Sequence, residues 1–111
     1  MDSDKARMCV LYDIYGELLP SSVSDFIDLY YNNDLSLSEI AENTGISRQG
    51  VRDGLVRGCR LLNEYESKLG LYEKYKENND TVSEIKSEIL SLDMEEDKKD
   101  KIINLIGKLV F

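Results

Sequence analysis

Ser47, Arg48, Gln49, Arg52, Arg57 and Arg60 carry the clearest chemistry in this chain. Four of its five arginines fall in the short segment Ser47–Arg60. A guanidinium presents a planar fork of donors that fits phosphate and other anions, often in a bidentate manner. Clustered on one helix, such groups form a surface for an anionic partner. The catalytic alternatives are thin. Carboxylates are plentiful, but there is no histidine, no glycine-rich phosphate loop and no cysteine beside a base. The expectation is therefore a binding protein rather than an enzyme, with no cofactor and no metal. Cys9 and Cys59 lack metal-ligand spacing and read as two reduced, packed thiols in different helices.

The elements that must hold these arginines are a helix-turn-helix. Ser36-Leu37-Ser38-Glu39 is a capping box that opens a third helix, and Ser47 caps a fourth. Ala41 is the small residue needed where the two helices meet, and Gly45 tolerates the positive φ of the turn. Ile40, Ile46 and Val51 are expected to wedge the pair together. At ~100° per residue, the fourth helix turns Gly50, Val51, Gly54, Leu55, Gly58, Leu61 and Leu62 inward. The same wheel turns Arg48, Gln49, Arg52, Asp53, Val56 and Arg60 outward, with Arg57 at the edge. In this motif the outer, N-terminal residues of the second helix face base edges, so Arg48, Gln49 and Arg52 are the candidate readers. Arg57 and Arg60 lie further along, at phosphate distance at best. The other reading of all four arginines is a solvated helix face paired with acids, and Asp53 among the readers would repel phosphate.

Gly50, Gly54 and Gly58 repeat every four residues, and each costs roughly 1 kcal/mol of helix propensity relative to alanine. Either another helix comes close, from the first helix or a second subunit, or the positions are tolerated weak points. The seven tyrosines read as core edge or subunit contact rather than a base-stacking platform.

The chain reads as all-α and free of a wing. A first helix is expected over about Asp4–Leu19, with Met8, Leu11, Tyr15 and Leu18 inward, ended by Pro20. Ser22 should cap a second helix with Val23, Phe26, Ile27 and Tyr30 inward, closed by Asn32-Asn33-Asp34. The fourth helix should continue to Tyr72, kinked or split at Gly70, and Lys76–Asp80 should be a loop. Thr81 should cap a fifth helix bearing Val82, Ile85, Ile89 and Leu92. Asp93 with Glu96 should cap a sixth, with Ile102, Ile106, Leu109 and Val110 inward and the pairs Glu95–Lys99 and Asp97–Lys101 on its wet side. This organisation gives a helix-turn-helix domain over 1–75 and a C-terminal helical appendage over 76–111. An apolar helical stripe serves core and interface alike, and a homodimer through the fourth or the C-terminal helices is expected.

Charge divides unevenly along the chain. Residues 1–35 hold two bases and seven acids, residues 36–63 four and three, and residues 64–111 eight and twelve. The motif is the only non-acidic third. A phosphate-bound domain is usually basic over a whole face, so free DNA should bind weakly without added contacts. Acidic flanks would also suit a basic protein partner. No segment nears the ~20 apolar residues of a membrane span, and the charged Met1–Lys5 start is unlike a signal peptide; a cytoplasmic location is expected.

The run Asp28–Glu42 followed by Gly45-Ile46-Ser47-Arg48-Gln49-Gly50-Val51 closely resembles the YlxM family, small helix-turn-helix proteins of Gram-positive bacteria. The likeness extends back to Leu11 and forward through Leu69 towards Tyr75, about three fifths of the chain. Gly50, Gly54 and Gly58 depart from it, since bulkier or polar residues would be expected there. The motif alone is also similar to the promoter-reading fourth region of sigma factors. YlxM genes commonly lie beside those of the signal recognition particle. The resemblance therefore implies a regulatory or accessory role in that pathway, touching the particle's RNA or its GTPase. Carried over by position, Ser47, Arg48, Gln49 and Arg52 would face nucleic acid. A DNA-binding transcription regulator and a pure protein-interaction module remain the alternatives.

Overall fold

Met8, Leu11 and Tyr15 recur at three- and four-residue steps, and in the computed structural model, which describes residues 5–109, they form the buried stripe of α1 (Lys5–Tyr15). The expected start at Asp4 lies outside the described residues. The helix does not reach Leu19. It tightens into a 3₁₀ turn over Gly16–Leu18, which turns Leu18 out to solvent and Leu19 into the core. Pro20 then holds φ −55° and ψ 141°, and α2 (Ser21–Ile27) starts at the next residue. Ser22 is thus inside the helix and caps nothing. The Pro20 carbonyl accepts from the Ser24 N–H at 2.9 Å instead.

Val23, Phe26 and Ile27 are buried as their spacing predicts, but Tyr31 takes the inward place expected of Tyr30. The cause is a π-helical turn over Asp28–Asn32, whose extra residue shifts the phase of everything after it. Tyr30 packs edge-on against the Tyr31 ring at 4.9 Å between centroids. The turn closes at Asn32–Asp34: both asparagine amides bond to Asp28, and Asp34 takes a left-handed φ of 57° and pairs with Lys5.

α3 (Leu37–Thr44) carries the complete capping box. Ser36 Oγ accepts from the Glu39 N–H at 3.1 Å, and Glu39 Oε1 accepts from the Ser36 N–H at 3.0 Å. Gly45 ends the helix at φ 74°, its N–H donating to the Ala41 carbonyl. Ile40 and Val51 are fully buried, while Ile46 is 40% exposed and lies against Gly50 at the start of α4.

α4 (Arg48–Leu69) is the longest helix of the first unit and buries Val51, Leu55, Gly58, Leu62 and Glu66, with Leu61 half-buried. Tyr15 donates to Glu66 Oε1 at 2.7 Å, which satisfies that inward carboxylate. Gly70, at φ 63°, splits the long run, its N–H bonded to the Glu66 carbonyl. The chain divides here into two compact units, Met1–Gly70 and Leu71–Phe111.

In the second unit α5 (Leu71–Ser91) runs straight through Lys76–Asp80, so the expected loop is helix. That stretch is polar but holds neither glycine nor proline, and polarity marks solvent rather than a break. Thr81 lies inside the helix and donates back to the Glu77 carbonyl at 3.0 Å, in place of capping. α6 (Glu96–Gly107) has Glu95 at its N-cap without a side-chain bond, so Asp93 is not its cap. Lys99 leaves the wet side. It is 9% exposed, with Nζ 3.4 Å from the Leu90 carbonyl and 4.0 Å from Glu96 Oε1. Ile102 and Ile106 are half-buried, Leu109 is 76% exposed, and Val110 lies outside the described residues.

Candidate nucleic-acid interface

The arginine-bearing helix is seated by what its inner face lacks. A Cβ on Gly54 would lie 2.5 Å from Cδ2 of Phe26, and one on Gly58 would lie 2.8 Å from both Ile27 Cδ1 and Val23 Cγ1. All three neighbours belong to α2. The close approach that the glycine stripe implies is therefore to α2, and not to the first helix or a second subunit. Gly50 differs, since a Cβ there would meet only Ile46 Cγ2 at 2.9 Å and the Ser47 hydroxyl at 3.1 Å.

With that face fixed, Arg48, Gln49, Arg52, Asp53, Val56, Arg57 and Arg60 are all exposed. Arg48, Gln49 and Arg52 line one surface hollow of about 490 Å³ together with Leu37. Leu37 opens α3, and only the crossing of the two helices brings it there. Arg57 and Arg60 lie outside the hollow. The four arginines extend over ~18 Å of helix at 1.5 Å per residue.

Local partners grade them. Among the described residues Arg48, Arg52 and Arg57 have no carboxylate within 4.0 Å, whereas Arg60 Nε lies 4.0 Å from Glu64 Oε1, one turn on. Gln49 Nε2 donates to Asp53 Oδ1 at 2.9 Å, one turn along the exposed face. Ser47 Oγ accepts from the Gly50 N–H at 3.1 Å and so holds the helix start. The N-terminal end of α4, where the macrodipole is positive, is thus also where Arg48 and Arg52 stand. The fifth arginine, Arg7 on α1, reaches the distal part of the same helix, donating to Asn63 Oδ1 at 3.2 Å. No local spacing signals that contact, because it joins residues far apart in the chain.

Tyrosines of the first unit sit at seams of its core. Tyr12 meets Ser24 Oγ at 3.1 Å, Tyr65 donates to the Leu18 carbonyl at 3.2 Å, and Tyr31 lies between the two thiols. Cys9 Sγ is 3.5 Å from the Tyr31 carbonyl and Cys59 Sγ is 3.3 Å from its hydroxyl; both cysteines are free and half-buried. No helix among the described residues is long and apolar enough to cross a membrane.

Comparison with known proteins agrees with this geometry. The profile of the family UPF0122, described as "Putative helix-turn-helix protein, YlxM / p13 like", matches residues 3–102. A UPF0122 protein of Clostridium kluyveri is 46% identical over 105 residues, covering 93% of this chain and 95% of its own. One from Bacillus velezensis is 40% identical over 103 residues, 93% of each chain. One from Thermoanaerobacter sp. is 38% identical over 109 residues, 98% of this chain and 92% of the relative.

Proposed function

The chain belongs to the UPF0122 family of YlxM/p13-like helix-turn-helix proteins, and on that premise we propose that it is a nucleic-acid-binding accessory or regulatory protein of the signal recognition particle pathway. The role is binding rather than catalysis, in the cytoplasm. The observation that carries the reading is the exposed N-terminal half of α4, where Arg48 and Arg52 stand beside Gln49 with no carboxylate partner among the described residues. A helix-turn-helix offers this end of its second helix to nucleic acid. The link to the particle rests on the YlxM likeness, and its RNA is the first ligand to test. Arg57 extends the phosphate-binding line, while Arg60, beside Glu64, adds less. A homodimer would present two such helices to one ligand, which would offset the acidic charge of −8.

The acidic flanks favour one second reading, a basic surface of a particle protein such as its GTPase. Duplex DNA, as bound by a transcription regulator, is the alternative nucleic acid. Titrating the protein against signal recognition particle RNA and an equal length of duplex DNA at two salt concentrations separates these cases. Binding to the RNA, weakening with a log–log salt slope of about −2 for three phosphates on a single strand, supports the proposal. Binding to DNA alone moves the protein to transcription. Binding to neither refutes the nucleic-acid reading and turns the search to the GTPase.

A further inference from the structure

The second unit leaves an apolar face open. Ile89 is its one buried hydrophobic residue among those described, while Ile85, Leu92, Leu105 and Leu109 are exposed. Two helices joined by the short connection Leu92–Glu95 are antiparallel neighbours, and α5 and α6 pack on each other. On a wheel of ~100° per residue, Ile85 falls just to one side of the buried Ile89, and Leu92 follows directly after the helix end and lines the same groove. On α6, Leu105 falls to one side of the half-buried Ile102 and Ile106, with exposed Lys98 on the same side and Leu109 just beyond the helix end. Because the helices are antiparallel, these two sides coincide and form a single stripe along the hairpin. Its α5 half is a groove of about 500 Å³ lined by Thr81, Glu84, Ile85, Glu88, Ile89 and Leu92. The outer edge of that groove is acidic, at Glu84 and Glu88. The outer edge of the α6 half is basic, at exposed Lys101 and Lys108, with Asp97 beyond them.

We propose that this face binds a second copy of the chain, with α6 of each copy lying in the Glu84/Glu88-edged groove of α5 of the other. The charge pattern selects both occupant and symmetry. A two-fold axis parallel to the helices sets α5 over the partner's α6, so acids meet lysines on both edges and all neighbouring helices are antiparallel. A two-fold axis across the helices would stack acid on acid and lysine on lysine, which is repulsive. The product is a four-helix bundle with an apolar centre. The inference deepens the homodimer part of the proposed function by naming its surface, and it is independent of what α4 binds.

Light scattering of the full chain at micromolar concentration tests it, with a dimer at twice 12.7 kDa expected. Leu105→Asp, at a position 52% exposed, should give a monomer with unchanged helicity. Glu84→Lys/Glu88→Lys should weaken the dimer on the order of 100-fold through like charges on both edges, and Lys101→Glu/Lys108→Glu should do the same. Mixing the two charge variants should restore a dimer, because each then meets opposite charge. A dimer that survives Leu105→Asp, or a mixture that stays monomeric, overturns this surface while leaving a dimer through α4 open. A monomeric unaltered chain overturns the homodimer reading as well.

Discussion

At Gly54 and Gly58 an absent methyl group sets how closely α4 lies on α2. Replacing Gly54 by alanine would gain about 1 kcal/mol of helix propensity but drive a Cβ into the Phe26 ring. Overpacking of a filled core costs about 1–3 kcal/mol, and two ring atoms within 2.6 Å put this site at the upper end. Gly54→Ala should therefore lose about 1–2 kcal/mol in urea unfolding. Gly50→Ala should be neutral or slightly stabilising, since only the half-exposed Ile46 and the cap hydroxyl need shift. At the outer face, Arg48→Ala and Arg52→Ala should each reduce the salt slope of RNA binding by about 0.7. Arg60→Ala should change it less, because Glu64 already shares its charge. Salt titrations of the three variants compare them directly.

Individual elements show which signals were local enough to read. The capping box at Ser36, the left-handed turn at Gly45 and the Ser47 cap each depend on residues within about one turn, and each is found where its spacing predicts. Ser36→Ala should cost about 1 kcal/mol, measured as a shift in the urea midpoint. The bond from the Ser36 backbone N–H, and then that from its hydroxyl, holds the Glu39 carboxyl below its ordinary 4.5. A lowered folded-state pKa means the contribution is complete above that ordinary value and is lost as pH falls through the folded one. Acid unfolding of Glu39→Gln should show a shallower dependence than that of the unaltered chain just below pH 4.5. Signals that depend on distant packing were not legible. Nothing between Asp28 and Asn32 announces a π turn, so the burial of Tyr31 in place of Tyr30 shows only once α1 and α4 close over it. Lys76–Asp80 is helix despite its polarity, which marks a solvent-facing stretch rather than a break. The wheel placed Arg48, Gln49 and Arg52 outward, yet it could not supply Leu37 or the contact of Arg7 with Asn63, both of which need the crossing of separate helices.

Over the whole molecule the buried side chains are shared unequally. Leu11, Ile27, Ile40, Val51, Leu55 and Leu62 are fully enclosed in the first unit, and α5 and α6 enclose little apart from Ile89. Amide exchange should therefore be slowest at Val51–Leu62 and faster throughout α5 and α6. Protection of α5 and α6 should rise with protein concentration if two hairpins cover each other. The two thiols at Tyr31 offer a different use. Cys9 on α1 and Cys59 on α4 both lie against one tyrosine of the π turn, and the chain has no tryptophan. Alkylating reagent can attack them fully only when that junction opens, so their labelling rate is a built-in clock for its breathing. If a ligand bound by the far side of α4 slows the clock, the helix is being clamped from outside, and the chain will have reported its own binding without an added dye.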